Sequence, residues 1–214
     1  MGPEDWLQRW REGKIGFHEA APNGFLVAHA ARLAGTVFLP LCGKSRDMAH
    51  LASLGHRIVG AELSGIAAEA FFSESSITPE RSTRGGFEVL SAGGVSIFVG
   101  DVFALTSDLI GPIDTAYDRA ALVAVAPDEQ ARYAAHLASL GPRTILLVTF
   151  DYDQTKMEGP PFSVSDARAR ELFSRWYSCE RLDARDVTDE RPRFREAGID
   201  RVTETLLLLQ RVAS

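Results

Sequence analysis

Apolar residues along the chain switch between two periods, and the switches mark the elements. Helical spacing is predicted over residues 3–12, where Pro3 opens the segment and Trp6 and Trp10 share one face. Further helices are predicted over 24–33, ending near Gly35, over 46–54, closed by Gly55, and over 65–75 behind Ser64 as N-cap. Two more span 127–140, stopped by Gly141-Pro142, and 165–176. Between them lie short β-branched or apolar runs that read as strands: 36–41, 56–63, 87–90, 95–99, 113–117, 144–150, 177–182 and 202–209. Gly93-Gly94 between two of these runs signals a hairpin.

Strands that alternate with helices imply an α/β chain, doubly wound around a mostly parallel sheet. The middle strands are continuous apolar runs, as expected of strands buried on both faces. Ligands of such sheets sit at the carboxyl ends of the strands, near the switch in strand order. The turns after Leu41, Ala61, Val99 and Tyr117 are therefore expected to line one crevice.

Composition narrows this picture without changing it. The 214 residues suit one domain over 1–214, and no repeat or linker divides them. The net charge of -6 and the lack of a dense Lys/Arg run argue against a nucleic-acid partner. The nearest basic stretch, Arg191 to Arg195, reads first as a solvated loop. Cys42 and Cys179 form neither a disulfide framework nor a zinc spacing, so no metal is expected. Glu4 and Asp5 stand where a signal peptide would be basic, and no apolar run approaches the ~18 residues of a membrane span. A cytoplasmic monomer with no membrane partner is expected.

Four strand-end motifs carry candidate chemistry. In Leu39-Pro40-Leu41-Cys42-Gly43-Lys44-Ser45, Gly43 would let backbone approach a nucleotide-like ligand, or would simply make an ordinary strand-to-helix turn. The motif lacks the further glycines of a dinucleotide fingerprint, which disfavours a nucleotide-using oxidoreductase, and it lacks the spacing of a P-loop. Glu62, nineteen positions later, is spaced to accept ribose hydroxyls; otherwise it is a surface acid beside the Ser64 cap. Together the two features imply an adenosine-containing cofactor. Asp101, after Val99-Gly100, could face an adenine edge or cap a helix. Asp118-Arg119 is either a structural ion pair or a cationic handle for an anionic ligand.

The ordered motifs WLQRW, IGFHE, PLCGKS, GAELS, GDVFAL, YDRAALVA, DY followed by GPPF, and RFREAGID resemble thiopurine S-methyltransferases of the compact bacterial type. The resemblance runs from Trp6 to about Gln210. It implies a seven-stranded sheet of the S-adenosylmethionine-dependent methyltransferase (Rossmann-like) type, with the last strand antiparallel. It implies S-adenosyl-L-methionine as methyl donor and a small-molecule thiol or selenium-type acceptor. Residues 1–35 would form a helical cover over the cofactor and substrate sites. At the cofactor site it places Trp10, Leu41, Gly43, Glu62, Asp101, Val102 and Arg119. At the acceptor site it places Phe17, Pro161, Arg119 and Arg193, with Arg191 as the substitute for Arg193. Arg119 and Arg193 are the candidate catalytic residues, set to favour an anionic sulfur nucleophile; His18 is the rival base. Ala61 and Glu19 stand where relatives commonly have Val and Gln, and the second departure bears on the acceptor range. The alternatives are another acceptor (a small thiol, sulfide, a selenium or tellurium species, or halide) and a non-catalytic module that binds an S-adenosyl ligand.

Overall fold

The computed structural model of the chain describes residues 2–16 and 18–212. These fall into two compact units, 1–117 and 118–214.

The first unit opens with α1 (Pro3–Arg11), where acids in the first turn and Arg9 and Arg11 in the last complement the helix dipole. Then follow α2 (Gly24–His29), β1 (Thr36–Leu39), α3 (Arg46–Ser53), β2 (Arg57–Glu62) and α4 (Gly65–Glu74). Next come β3 (Glu80–Arg84), β4 (Phe87–Ala92), β5 (Val95–Val99), α5 (Ser107–Ile110) and β6 (Thr115–Arg119), whose last two residues belong to the second unit. The strand order is β3-β4-β5-β2-β1-β6. β5, β2, β1 and β6 pair in parallel, in registers such as Phe38↔Val59, Gly60↔Ile97 and Phe38↔Ala116. Their apolar runs are buried on both faces: Val37, Phe38, Ile58, Ala61, Ile97 and Ala116 are almost fully enclosed. Parallel pairing puts the carboxyl ends of β1, β2 and β5 at one edge, which is where the candidate residues lie.

The hairpin at Gly93-Gly94 forms as predicted, between β4 and β5. β3 is unexpected. Its residues, Glu-Arg-Ser-Thr-Arg, are all exposed and show no apolar alternation, so no periodicity marks them. Gly85 and Gly86 both have positive φ and turn β3 back onto β4, and the pairing makes the strand. The described residues thus contain nine strands rather than the seven that the resemblance implies.

The second unit holds α6 (Gln130–Ser139), β7 (Thr144–Asp151), α7 (Asp166–Phe173), β8 (Tyr177–Asp186), α8 (Pro192–Glu196) and β9 (Thr203–Arg211). β9 lies between β7 and β8 and is antiparallel to both, so the last strand runs as expected. The stretch Arg191 to Arg195 is not a solvated loop. Pro192 starts a short helix there, and Phe194 anchors it with no exposed surface.

Candidate functional site

Glu62 is the hub of the first unit. It ends β2 with only 6% of its surface exposed. One carboxylate oxygen, Oε2, accepts the Gly43 N–H at 2.8 Å, and Oε1 accepts the Ser64 N–H at 2.8 Å. The main chain repeats these ties: the Cys42 N–H donates to the Ala61 carbonyl and the Gly100 N–H to the Glu62 carbonyl, each at 2.9 Å. The turns after β1, β2 and β5 are thereby hydrogen-bonded side by side. Burial pushes the Glu62 carboxyl above its ordinary range, and the N–H groups of Ser64, Gly43 and Leu63 oppose that shift. An ionised carboxylate offers about four acceptor positions, so these N–H groups leave acceptor capacity for a ligand hydroxyl.

Gly43 has φ +52, and a Cβ placed on it would lie 3.2 Å from Trp10 Cζ2. A side chain there would be strained by the backbone and crowded by the indole. Leu41, half-buried, also takes a positive φ, of 45°. Trp10 is buried against this turn. The segment before α2 is tied down as well: the Asn23 N–H donates to Asp47 Oδ1 on α3 at 2.8 Å, and Asn23 Oδ1 caps α2 through the Phe25 N–H. Asp101 caps the short turn that follows β5 by accepting the Phe103 N–H at 3.0 Å, and its neighbour Val102 is buried. Trp10, Leu41, Gly43, Glu62, Asp101 and Val102 thus cluster along one strand-end edge. A tight glycine turn, a buried carboxylate with acceptor capacity left and an indole over the turn suit the adenosine end of S-adenosylmethionine.

His18, the rival base, and Cys42 both have a place in this unit. His18 stands close enough to Glu74 to help Lys44 and Arg46 hold that carboxyl below its usual value; the Lys44–Glu74 hydrogen bond is the main cause. Cys42 is a buried thiol. Burial pushes it far above its usual range, and the charge of Glu62 adds to the shift, so it is no nucleophile. Phe17 lies outside the described residues.

In the second unit Asp118 is fully buried. Its Oδ1 accepts the Leu122 N–H at 3.0 Å and its Oδ2 accepts the Tyr133 hydroxyl at 2.7 Å. Burial raises its carboxyl from 3.8 to about 6, against the pull of Tyr133, Leu122 and Ala121. These bonds fold the chain sharply just after Arg119, where Ala120 has φ +67. Arg119 itself is half-buried at the end of β6. Arg191, just before α8, and Arg193, within it, separate clearly. Arg191 stacks over Phe150, 4.9 Å from the ring centre, and lies 3.8 Å from the buried Glu204. Arg193 donates to the Pro160 carbonyl at 2.6 Å and so reaches the Gly159-Pro160-Pro161-Phe162 segment. Pro161 is half-buried beside it.

Sequence reasoning missed Tyr133, Tyr152 and Gln154. Tyr133 partners Asp118 from another element, fifteen positions on, and nothing local marks it. Tyr152 stood inside a recognised motif, and its hydroxyl donates to the Pro161 carbonyl at 2.5 Å. Among the described residues no group of three His, Cys, Asp or Glu side chains could hold a metal ion, and no helix is long and apolar enough to cross a membrane.

The family model for "Thiopurine S-methyltransferase (TPMT)" matches residues 1–212. A thiopurine S-methyltransferase of Xanthobacter autotrophicus (strain Py2) is 48% identical over 195 residues, covering 87% of this chain and 91% of that protein. One from Pseudomonas syringae pv. tomato is 42% identical over 217 residues, 99% of each. Among solved structures, a 1,6-didemethyltoxoflavin N1-methyltransferase of Burkholderia thailandensis, with bound 1,6-didemethyltoxoflavin and S-adenosylhomocysteine, superposes with a TM-score of 0.65. It is 19% identical, and the match covers 99% of this chain and 87% of that one. A TehB-like S-adenosylmethionine-dependent methyltransferase of Corynebacterium glutamicum gives a TM-score of 0.56 at 14% identity, over 98% of each chain. These two show the methyltransferase fold, and the family match with the two relatives shows more: the chain belongs to the thiopurine S-methyltransferase family.

Proposed function

We propose that this chain transfers a methyl group from S-adenosylmethionine to the sulfur of an aromatic or heterocyclic thiol, with a thiopurine as the model acceptor. The observation that carries this reading is the Glu62 hub. A buried carboxylate, fixed by the Gly43 and Ser64 N–H groups and still able to accept, is suited to a ribose diol. Trp10, Leu41, Gly43, Asp101 and Val102 complete the cofactor set in the first unit, with residues 1–35 as its cover. Arg119, Arg193 and Pro161 form the acceptor set in the second, and Phe17, the remaining acceptor-side candidate, belongs to the first. In this reading the two units make one catalytic domain over 1–214, acting as a cytoplasmic monomer without nucleic-acid or membrane partners.

When bound, the donor supplies a methyl group already activated by its sulfonium charge. The chain's own residues orient the reactants and match charge. A heteroaryl thiol is more acidic than an alkyl thiol, so it arrives largely as thiolate. Arg119 and Arg193 favour that anion over the neutral thiol and require no dedicated base.

Calorimetry with S-adenosylhomocysteine, followed by turnover on a panel of heteroaryl thiols, alkyl thiols, hydrosulfide, selenite and halide, tests the reading. Binding with preferential turnover of heteroaryl thiols is expected. Preferential turnover of hydrosulfide or selenite would replace the acceptor class, and binding without any turnover would leave a ligand-binding module. Absence of binding would remove the whole assignment.

A further inference from the structure

The segment between β7 and α7 has an unusual support. Pro160 and Pro161 remove two successive N–H donors, so its main chain offers mostly carbonyls. Backbone partners hold its start, where the Met157 N–H donates to the Gln154 carbonyl at 3.3 Å, and its end, where the Phe162 N–H donates to the Val123 carbonyl at 2.6 Å and the Val164 N–H to the Phe150 carbonyl at 2.7 Å. Side chains hold the rest. Tyr152 donates its hydroxyl to the Pro161 carbonyl at 2.5 Å. Gln154 spans the segment with one amide: Nε2 donates to the Met157 carbonyl at 2.5 Å and to the Tyr152 oxygen at 3.1 Å, while Oε1 accepts the Ser163 N–H at 2.5 Å. Ser163 Oγ in turn accepts the Tyr152 N–H at 3.0 Å. The Tyr152 ring packs 5.2 Å from the ring centre of the fully buried Phe194. Burial raises the Tyr152 phenol, so it stays a neutral donor.

We propose that Tyr152 and Gln154 are positioning residues for the methyl acceptor. They act through the main chain of 157–163, setting where the Pro161 wall stands and hence which ring sizes are accepted. Neither needs to touch the acceptor. The inference rests on the reading of Pro161 and Arg193 as acceptor-side residues. Its chemistry is specific to the amide of Gln154. The segment presents a carbonyl at one end and an N–H at the other, and only a side chain with both a donor and an acceptor satisfies both. A glutamate could keep the Ser163 bond but would set its second oxygen against the Met157 carbonyl.

The test uses the full chain and four proteins: wild type, Gln154→Ala, Gln154→Glu and Tyr152→Phe. Three quantities are read: kcat and KM with 6-mercaptopurine, affinity for S-adenosylhomocysteine by calorimetry, and hydrogen exchange at the Ser163 amide. Gln154→Ala should raise the acceptor KM about tenfold with kcat and S-adenosylhomocysteine affinity within about twofold. Its Ser163 amide should exchange at least about tenfold faster. Gln154→Glu should keep Ser163 protected yet still raise KM, and Tyr152→Phe should raise KM about threefold. An unchanged KM in both Gln154 variants would overturn the proposal. So would a parallel fall of kcat, cofactor affinity and melting temperature, which marks mere loss of fold. If Gln154→Ala does not fold, Tyr152→Phe, which loses a single oxygen, decides by the same split. Wild type that binds S-adenosylhomocysteine but leaves 6-mercaptopurine unmethylated would strike the acceptor reading itself, a failure distinct from a wild type that turns over while the variants keep its KM.

Discussion

Glu62 and Asp118 are both buried carboxylates at or beside the end of a parallel strand, yet they are satisfied in different ways. Glu62 is held by backbone N–H groups of Gly43 and Ser64, from its own turn and from the turn of the adjacent strand. Asp118 also uses a backbone N–H, from Leu122, but its second oxygen depends on the hydroxyl of Tyr133 on α6. The same contrast runs through the two units. The proposed cofactor set is tied together by main-chain N–H groups gathered around the Glu62 carboxylate. The proline segment of the second unit is held by side chains gripping carbonyls, as Arg193, Tyr152 and Gln154 do. Main-chain donors survive most substitutions, whereas side-chain partners are lost one residue at a time. In the proposed reading the first region is therefore the conservative part, and the second is where acceptor preference would be set.

The largest expected effect sharpens the carboxylate pair. Asp118 binds its proton more tightly folded than unfolded, with its carboxyl raised from 3.8 to about 6. Its contribution to stability is complete below about pH 4 and is lost as the pH rises through 6. Asp118→Asn stays uncharged throughout, so between pH 4 and pH 7 it should gain on wild type by about 3 kcal/mol in urea unfolding. Curves that stay parallel across that range would show that Tyr133 and the N–H groups fully offset burial, erasing the contrast with Glu62.

Glu62→Ala comes next. It removes the acceptor for a ribose diol and orphans two N–H groups, so affinity for S-adenosylhomocysteine should fall about 100-fold by calorimetry. A loss of tenfold or less would mean that the backbone turn alone carries the cofactor. Arg119→Ala should lower kcat/KM for a thiopurine about 30-fold, the scale of one hydrogen bond to a charged group, and shift the acid limb of the pH–rate profile upward. An unchanged rate and profile would remove Arg119 from the acceptor set. The smallest effect belongs to Gly43→Ala. The positive φ and the nearby Trp10 indole predict a loss of about 1 kcal/mol in urea unfolding, and a smaller loss when the same change is made in a Trp10→Ala background. Full additivity of the two changes would show that indole and turn do not bear on each other.

Much of the first region was legible along the chain. Gly43 and Glu62 stand nineteen positions apart because one strand-turn-helix-strand unit has that length, and the structure joins them by a hydrogen bond. The hairpin at Gly93-Gly94 was equally plain, since only glycine takes two positive φ angles in succession at little cost. β3 was invisible because its five exposed polar residues have no face to bury. The expected arginine-rich loop became α8 because Phe194, which pattern alone leaves among charges, is wholly enclosed by tertiary packing.

The pattern of residues along the chain was sufficient for the α/β class and for pairing the Gly43 turn with Glu62 at neighbouring strand ends, because each depends on interactions within one unit of local structure. The partnership of Asp118 with Tyr133, the separate destinations of Arg191 and Arg193, and the clasp of Tyr152 and Gln154 on the proline segment were decided only in three dimensions. In each, a polar side chain meets a group whose position is set by packing, and the energy of leaving it unpaired when buried, rather than any local periodicity, selects the partner.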